Sequence, residues 1–136
     1  MAMVKRIDHV AVAVKDLGAA VRTFTTNFGF PVTRRSDAPG LGIALAMLGI
    51  GDAQLELFTP TTTTNAPAKF LAERDEGMYL LSLETDDLDA AVRTLSARGL
   101  KTSPVTPSAD GKSRLVFVSP RSTHGVLLEL IEHAKA

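Results

Sequence analysis

Three polar side chains lie in apolar, strand-like segments where they could bind a metal ion. His9 lies in the segment at residues 7–14, Glu56 in a second at 53–58 and Glu129 in a third at 126–131. One imidazole and two carboxylates, with water in the remaining positions, suit a divalent ion such as Mg, Mn, Co, Ni or Zn. The alternative is that His9 is a core histidine and that both glutamates lie on a solvated sheet face.

Strand alternation predicts the face on which each of these side chains lies, because successive residues of a strand point to opposite sides. His9 shares its face with Ala11 and Ala13, which leave open volume in front of the imidazole. Glu56 and Glu129 fall on the face opposite to the leucines that flank them. All three groups are therefore predicted to point away from the faces that pack beneath helices.

An internal repeat organises the chain. The nine residues DLGAAVRTF, starting at Asp16, return 71 positions later as DLDAAVRTL, starting at Asp87, with seven of the nine identical. Each copy follows a strand-like run and has apolar residues at helical spacing behind an aspartate that can cap the helix. Gly29 and Gly99 are placed to end the two helices. The repeat predicts strand, turn and helix in each half.

Three further strands are expected after each helix. In the first half they are predicted at residues 32–35, 42–48 and 53–58, with a hairpin at 49–52; in the second half at 101–105, 114–118 and 126–131, with turns at 109–111 and 120–125. Four threonines and two prolines at 60–67 are typical of a linker, and a short helix is expected at 68–74. The prediction is one domain with module one at about 4–60, a linker at about 60–76 and module two at about 77–132.

The repeat also relates the candidate ligands to each other. Glu56 and Glu129 occupy equivalent positions, so a pseudo-twofold axis would bring them to matching places across one cavity. The same relation predicts a fourth member 71 positions after His9, and that residue is Leu80. Leucine cannot bind a metal, so the symmetric arrangement lacks one ligand.

Composition limits the partners. Fifteen basic and fifteen acidic residues cancel, which gives no broad field for nucleic acid or an anionic membrane. The absence of cysteine excludes disulfides, thiolate metal sites and a cysteine nucleophile. No segment has the pattern of a signal peptide or a membrane span, so a cytoplasmic protein is expected. The expected partners are a small molecule and a second copy of the chain.

Four stretches resemble the vicinal-oxygen-chelate (glyoxalase/bleomycin resistance/dioxygenase) superfamily, and within it the methylmalonyl-CoA epimerases. They are IDHVAV at 7–12, QLELFTP at 54–60, EGMYLLSLETDD at 76–87 and SPRSTHGVLLEL at 119–130. The resemblance implies an α+β fold of two tandem βαβββ modules forming a curved mixed sheet around a central cavity. It implies a divalent metal bound by His9, Glu56, Glu129 and the residue at 80, with Glu129 exchanging a substrate α-proton beside a metal-stabilised enolate.

Two positions depart from the pattern of the epimerases. Leu80 stands where the second histidine of a Gly-Leu-His-His stretch is expected, and Tyr79 is expected to point to the opposite face. A second base, a glutamate before the third strand, is missing; Asp37 is nearby but would need a shifted backbone to replace it. The candidate substrate-binding residues are Gln54, Leu80, Phe117, Arg121 and Ser122.

Three classes of function remain open from the sequence. The first is an isomerase or lyase of the epimerase kind that acts on an acyl-CoA or another carbonyl substrate, with Arg121 and Ser122 binding an anionic group such as a CoA phosphate. The second is a metal-free protein that sequesters a ligand in a cavity made more apolar by Leu80, Met47, Phe58 and Phe117. The third is a metal-independent cyclase or isomerase of a natural product. Family resemblance also favours a homodimer.

Overall fold

The structure is a computed structural model that describes residues 2–108 and 110–135. Over these residues it has eight strands and three α-helices. The strands are β1 (Arg6–Ala13), β2 (Val32–Ala38), β3 (Ile43–Ile50), β4 (Ala53–Pro60), β5 (Gly77–Glu84), β6 (Thr106–Pro107), β7 (Ser113–Val118) and β8 (Leu128–His133). The helices are α1 (Leu17–Phe28), α2 (Ala66–Arg74) and α3 (Leu88–Ala97). The predicted α+β class is confirmed, because the order βαβββ occurs once before α2 and once after it.

The described chain forms two compact units, one of residues 9–79 and one of residues 2–8 and 80–135. The strand order in the first unit is β2-β3-β4-β1, with β1 parallel to β4 and the other neighbours antiparallel. The order in the second unit is β6-β7-β8-β5, with β5 parallel to β8 and the other neighbours antiparallel. The same mixed pairing therefore occurs twice, as the sequence repeat indicated.

The helices of the repeat begin where the sequence predicts; α1 ends on the predicted Gly29, whereas the C-cap of α3 is Arg98 and Gly99 follows it with φ of 84°. The Asp16 carboxylate accepts a hydrogen bond from the amide of Ala19 at 3.0 Å, and Asp87 accepts one from Ala90 at 3.0 Å. Gly29 ends α1 in the left-handed conformation, with φ of 74°, a backbone conformation in which residues other than glycine are strained. No described helix is long and apolar enough to cross a membrane.

Each unit has its own hydrophobic core between a helix and one face of its strands. In the first unit, the residue that follows β1 packs with buried residues of α1, β3 and β4: Val14, Val21, Ala46, Leu48 and Leu57. In the second unit the equivalent cluster comes from α3, β7 and β8: Leu88, Ala91, Val116, Val118 and Leu130. Because side chains alternate along a strand, these cores leave His9, Glu56 and Glu129 on the opposite faces, as predicted.

The second strand is longer than the sequence predicts. β2 continues to Ala38 instead of ending at residue 35. Ser36 and Asp37 have weak strand preference, but β3 offers them a complete ladder, with Ser36 opposite Leu45 and Asp37 opposite Ala44. Pairing with a neighbouring strand overrides local propensity here, as is common in sheets.

The last strand begins two residues later than predicted. The expected strand at 126–131 is found at Leu128–His133. Val126 belongs to the preceding turn, because its amide donates to the carbonyl of Thr123 at 3.2 Å and its carbonyl accepts from the Thr123 hydroxyl at 2.5 Å. The backbone of His124 (φ 58°) and Gly125 (φ 89°) is left-handed within the same turn.

The strand predicted at 101–105 is wrong. Thr102 makes only an isolated bridge to Val118, and β6 comprises the two residues Thr106 and Pro107. Prolines at 104 and 107 remove two backbone donors from this segment, which shortens the ladder it can form. Of the turn predicted at 109–111, Ala109 lies outside the described residues, and Gly111 has φ of 71°.

Two connections in the first unit are shorter than predicted. The hairpin between β3 and β4 consists of the residues at 51 and 52, because Gly49 pairs with Gln54 and Ile50 with Ala53. α2 begins at Ala66 instead of residue 68, because the Asn65 side chain caps it by accepting from the Ala68 amide at 3.0 Å. The segment between β4 and α2 therefore spans residues 61–65.

Candidate functional site

His9 and Glu56 form a close pair in the first unit. The parallel register sets Ala11 opposite Glu56, so the His9 side chain lies on the same face one alternation away. The His9 Nε2 is 3.4 Å from the Glu56 Oε1, and the two side chains are only 5% and 13% exposed. A buried carboxylate next to an imidazole can share a proton with it or bind a cation together with it.

The face that carries this pair also carries an amide and two buried apolar side chains. Gln54 lies opposite His9, and its side-chain oxygen accepts a hydrogen bond from the Thr33 hydroxyl at 2.8 Å. Met47 of β3 lies opposite Glu56 of β4, and Phe58 follows Glu56 by two residues on β4. Met47 and Phe58 are both buried. The predicted candidates Gln54, Met47 and Phe58 therefore share one face with His9 and Glu56.

Glu129 is buried in the second unit and hydrogen-bonded to a serine. Its Oε1 accepts from the Ser82 hydroxyl at 2.7 Å, and Ser82 is directly opposite Glu129 in the parallel ladder of β5 and β8. Glu129 is 6% exposed and Ser82 is fully buried. The sequence interpretation missed Ser82, although a small polar residue in the apolar strand at 78–83 was a signal for it.

Leu80 and Phe117 lie on the same face as Glu129. Leu80 precedes Ser82 by two residues on β5, so the two side chains point the same way. Phe117 lies opposite Glu129 in the antiparallel ladder of β7 and β8. Leu80 thus lies on the face on which it was predicted to lie. Its side chain is an alkyl group at the position where a fourth metal ligand would be needed.

The Tyr79 side chain packs against two aromatic rings in the first unit. Its ring lies edge-on to Phe58, with centroids 5.2 Å apart, and edge-on to Phe70 at 5.1 Å. Burial among these rings raises the pKa of the Tyr79 phenol. These contacts support the expectation that Tyr79 does not substitute for the ligand missing at Leu80.

Asp37 lies on the wrong side of its strand to act as the missing base. It is opposite Ala44, whereas the face of Glu56 continues through Met47 and Leu45 on β3. Since Ala44 and Leu45 alternate, the Asp37 side chain points away from the face that carries Glu56. The register of β2 against β3 shifts between Val32 and Arg34, and the pairing is regular from Arg34 onward, so Asp37 keeps the face set by its partner Ala44.

Arg121 and Ser122 lie in an exposed turn of 3₁₀ helix at Pro120–Ser122. The Arg121 amide donates to the Ser119 hydroxyl at 3.3 Å. Among the residues that the structure describes, the Arg121 side chain makes no hydrogen bond or ion pair. Both residues are exposed, and their binding of an anionic group stays a prediction.

A second polar cluster in the second unit was not predicted. Asp8 Oδ1 lies 2.6 Å from the Nε2 of His133, and ligand atoms of Asp8, Glu84 and His133 all lie within 4.8 Å of one another. Arg6 is bonded to both carboxylates, with its Nε 2.6 Å from Glu84 Oε1 and its Nη2 3.1 Å from Asp8 Oδ1. The guanidinium supplies the cation for these carboxylates, so the cluster is an ion-pair network.

Comparison with known proteins gives one family. Residues 6–130 match the Glyoxalase/Bleomycin resistance protein/Dioxygenase superfamily. The human mitochondrial methylmalonyl-CoA epimerase (Homo sapiens) is 30% identical over 92% of this chain and 72% of its own length.

Solved structures agree with this match. The crystal structure of methylmalonyl-CoA epimerase from Mycobacterium tuberculosis superposes with a TM-score of 0.93 at 31% identity, covering 99% of this chain and 92% of that one. A variant of the Streptomyces coelicolor methylmalonyl-CoA epimerase, in complex with 2-nitronate-propionyl-CoA, gives a TM-score of 0.92 at 33% identity and 96% coverage of both chains. The chain therefore belongs to the Glyoxalase/Bleomycin resistance protein/Dioxygenase superfamily, as a methylmalonyl-CoA epimerase-like member.

Proposed function

We propose that this protein is an isomerase of the epimerase type that removes and returns the α-proton of an acyl-CoA, with Glu129 as the base. The observation that carries the proposal is a carboxylate, buried to 6% exposure and held by Ser82, in a chain that is 30% identical to a methylmalonyl-CoA epimerase. In the step, the α C–H bond breaks, a Glu129 oxygen takes the proton, and the electron pair moves to the thioester carbonyl as an enolate.

One imidazole and two carboxylates of low exposure form a donor set that suits a divalent ion: His9 and Glu129 are buried and the Glu56 side chain is 13% exposed. We propose that these three residues hold such an ion. When bound, a metal of this kind polarises a substrate carbonyl and stabilises the enolate. With Leu80 in place of a fourth ligand, we expect weaker binding than in a complete four-ligand centre.

Epimerisation also needs a proton donor on the second face of the enolate. Asp37, the carboxylate nearest to the position expected for that donor, points away from the face of Glu56. We therefore expect exchange of the α-proton with solvent to be faster than inversion of the carbon. A single base returns the proton to the face from which it was taken, whereas inversion requires delivery from the other side.

The experiment follows methylmalonyl-CoA in deuterated water, with exchange read by NMR and inversion read by a stereospecific coupled assay. We expect exchange by the wild type and loss of at least about a hundredfold in Glu129→Gln, since a positioned base contributes that much or more. Glu73→Gln, an exposed glutamate of α2, is the control and should exchange like the wild type. Wild-type protein that exchanges no α-proton, with or without added metal, contradicts the proposal.

A second candidate function is binding of the same class of ligand without catalysis. It is favoured by Leu80, which places an alkyl group on the face of Glu129 where a ligand of the metal is expected. Tight binding of the acyl-CoA together with no α-proton exchange would identify this function. We also propose a homodimer on the strength of the family relation, and light scattering on the purified chain tests it.

A further inference from the structure

Arg34 lies in line with the candidate ligands of the first unit. It is opposite Met47 in the ladder of β2 and β3, and Met47 is opposite Glu56 in the ladder of β3 and β4. Residues directly opposite each other in a sheet point to the same face. Arg34 therefore projects from the same face as the pair of His9 and Glu56.

Arg34 is a partly buried residue whose guanidinium has no counter-ion in the part of the chain that the structure describes. Among residues 2–108 and 110–135, no hydrogen bond, ion pair or ring contact involves its guanidinium, and its residue exposure is intermediate. Withdrawing a charged group from water costs free energy unless a partner replaces the lost solvation. Arg35, the next residue, is opposite Ala46, points to the other face and is exposed to solvent, where no such cost arises.

We infer that Arg34 binds an anionic oxygen group of the ligand, a carboxylate or a phosphate. The planar guanidinium can donate two parallel hydrogen bonds to such a group, which fixes both its position and its orientation. The inference rests on the proposed function, because an acyl-CoA of the malonyl type offers both chemistries: a free carboxylate on the acyl group and phosphates on the carrier. Arg34 is then a specificity-determining residue, and it differs from Arg121, which lies in an exposed turn of the second unit.

The test measures binding by calorimetry for wild type, Arg34→Met and Arg35→Met with three ligands: methylmalonyl-CoA, propionyl-CoA and CoA. Methionine keeps most of the apolar stem and removes the charge. We expect Arg34→Met to weaken methylmalonyl-CoA about tenfold or more, the size of one charge-assisted hydrogen bond, and Arg35→Met to bind like the wild type. A loss confined to methylmalonyl-CoA identifies the acyl carboxylate, and an equal loss for all three identifies a CoA phosphate.

Two results separate failure of this inference from failure of the proposed function. If Arg34→Met binds all three ligands as tightly as the wild type, Arg34 has no role in binding and the inference is overturned. If the wild type binds none of the three, the proposed function fails. Arg34 is then tested with malonate and pyrophosphate by NMR of the arginine Nε–H groups, with its signal assigned from its absence in Arg34→Met. A shift of that signal supports an anion site, and no shift with either anion overturns the inference.

Discussion

The Ser82 hydroxyl donates a hydrogen bond to the Glu129 Oε1 at 2.7 Å, and the two residues are directly opposite each other in the ladder of β5 and β8. Both are buried. A carboxylate at this depth is stabilised by each donor that reaches it, and a donor on a strand holds it more rigidly than one on a loop would. Ser82 therefore contributes both to the stability of the second unit and to the orientation of the proposed base.

Replacing Ser82 with alanine removes this donor without adding volume. We expect the free energy of unfolding to fall by about 1–3 kcal/mol, as for a lost hydrogen bond to a charged group, measured by urea denaturation. We also expect slower α-proton exchange. Ser113→Ala is the control, because Ser113 is another buried serine of the second unit, bonded to His133 at 2.8 Å. Equal exchange rates in the two variants would contradict a role for Ser82 in orienting Glu129.

Replacing Leu80 with histidine should add an imidazole on the face of Glu129. The affinity for Co²⁺ or Ni²⁺ is expected to rise by at least about a hundredfold over the wild type, since one more ligand strengthens a site with few protein donors. Titration calorimetry with the purified protein measures it. Leu81→His places the same group on the opposite face and should leave the affinity near that of the wild type. An unchanged affinity in Leu80→His would mean that position 80 does not belong with the ligands.

Removing Arg6 should destabilise the protein strongly. The Arg6→Met variant leaves Asp8 and Glu84, whose side chains are 4% and 13% exposed, without their guanidinium partner. We expect a loss of about 3 kcal/mol near neutral pH, as for other buried pairs that lose one member. Arg114→Met is the control: this arginine pairs with Asp89 and Glu132 but is 43% exposed, so a much smaller loss than in Arg6→Met is expected. Similar losses in both variants would show that burial of the Arg6 network has no energetic effect.

The phenol of Tyr79 should titrate at a higher pH in the folded protein than in the unfolded chain. Desolvation by the surrounding rings raises its pKa in the folded protein, and the chain has one tyrosine, so the absorbance change on forming phenolate reports this residue alone. Because the pKa of Tyr79 is higher in the folded than in the unfolded protein, the protonated phenol contributes to the free energy of unfolding at lower pH. This contribution is lost as the pH rises through the folded pKa. A midpoint at or below that of the urea-unfolded chain would contradict the burial of Tyr79.

The sequence predicted the repeat, the helix caps and the faces of His9, Glu56 and Glu129, because all of these follow from local periodicity. The full length of β2 could not be predicted in the same way, since Ser36 and Asp37 join it only through pairing with β3. The contact between Asp8 and His133 joins residues 125 positions apart, and nothing in either local pattern indicates the other.

Residues 2–8 complete a unit whose remaining residues are 80–135, whereas residues 9–79 form a unit of their own. This arrangement sets an order for events during synthesis. The chain emerges from the ribosome at roughly 5–20 residues per second, so residues 9–79 are available to fold seconds before the last strand exists. The start of β1 belongs with residues 80–135, which are made later, and Asp8 can meet His133 only after residue 133 has been made. Residues 2–8 are therefore made well before the rest of their unit and complete it late.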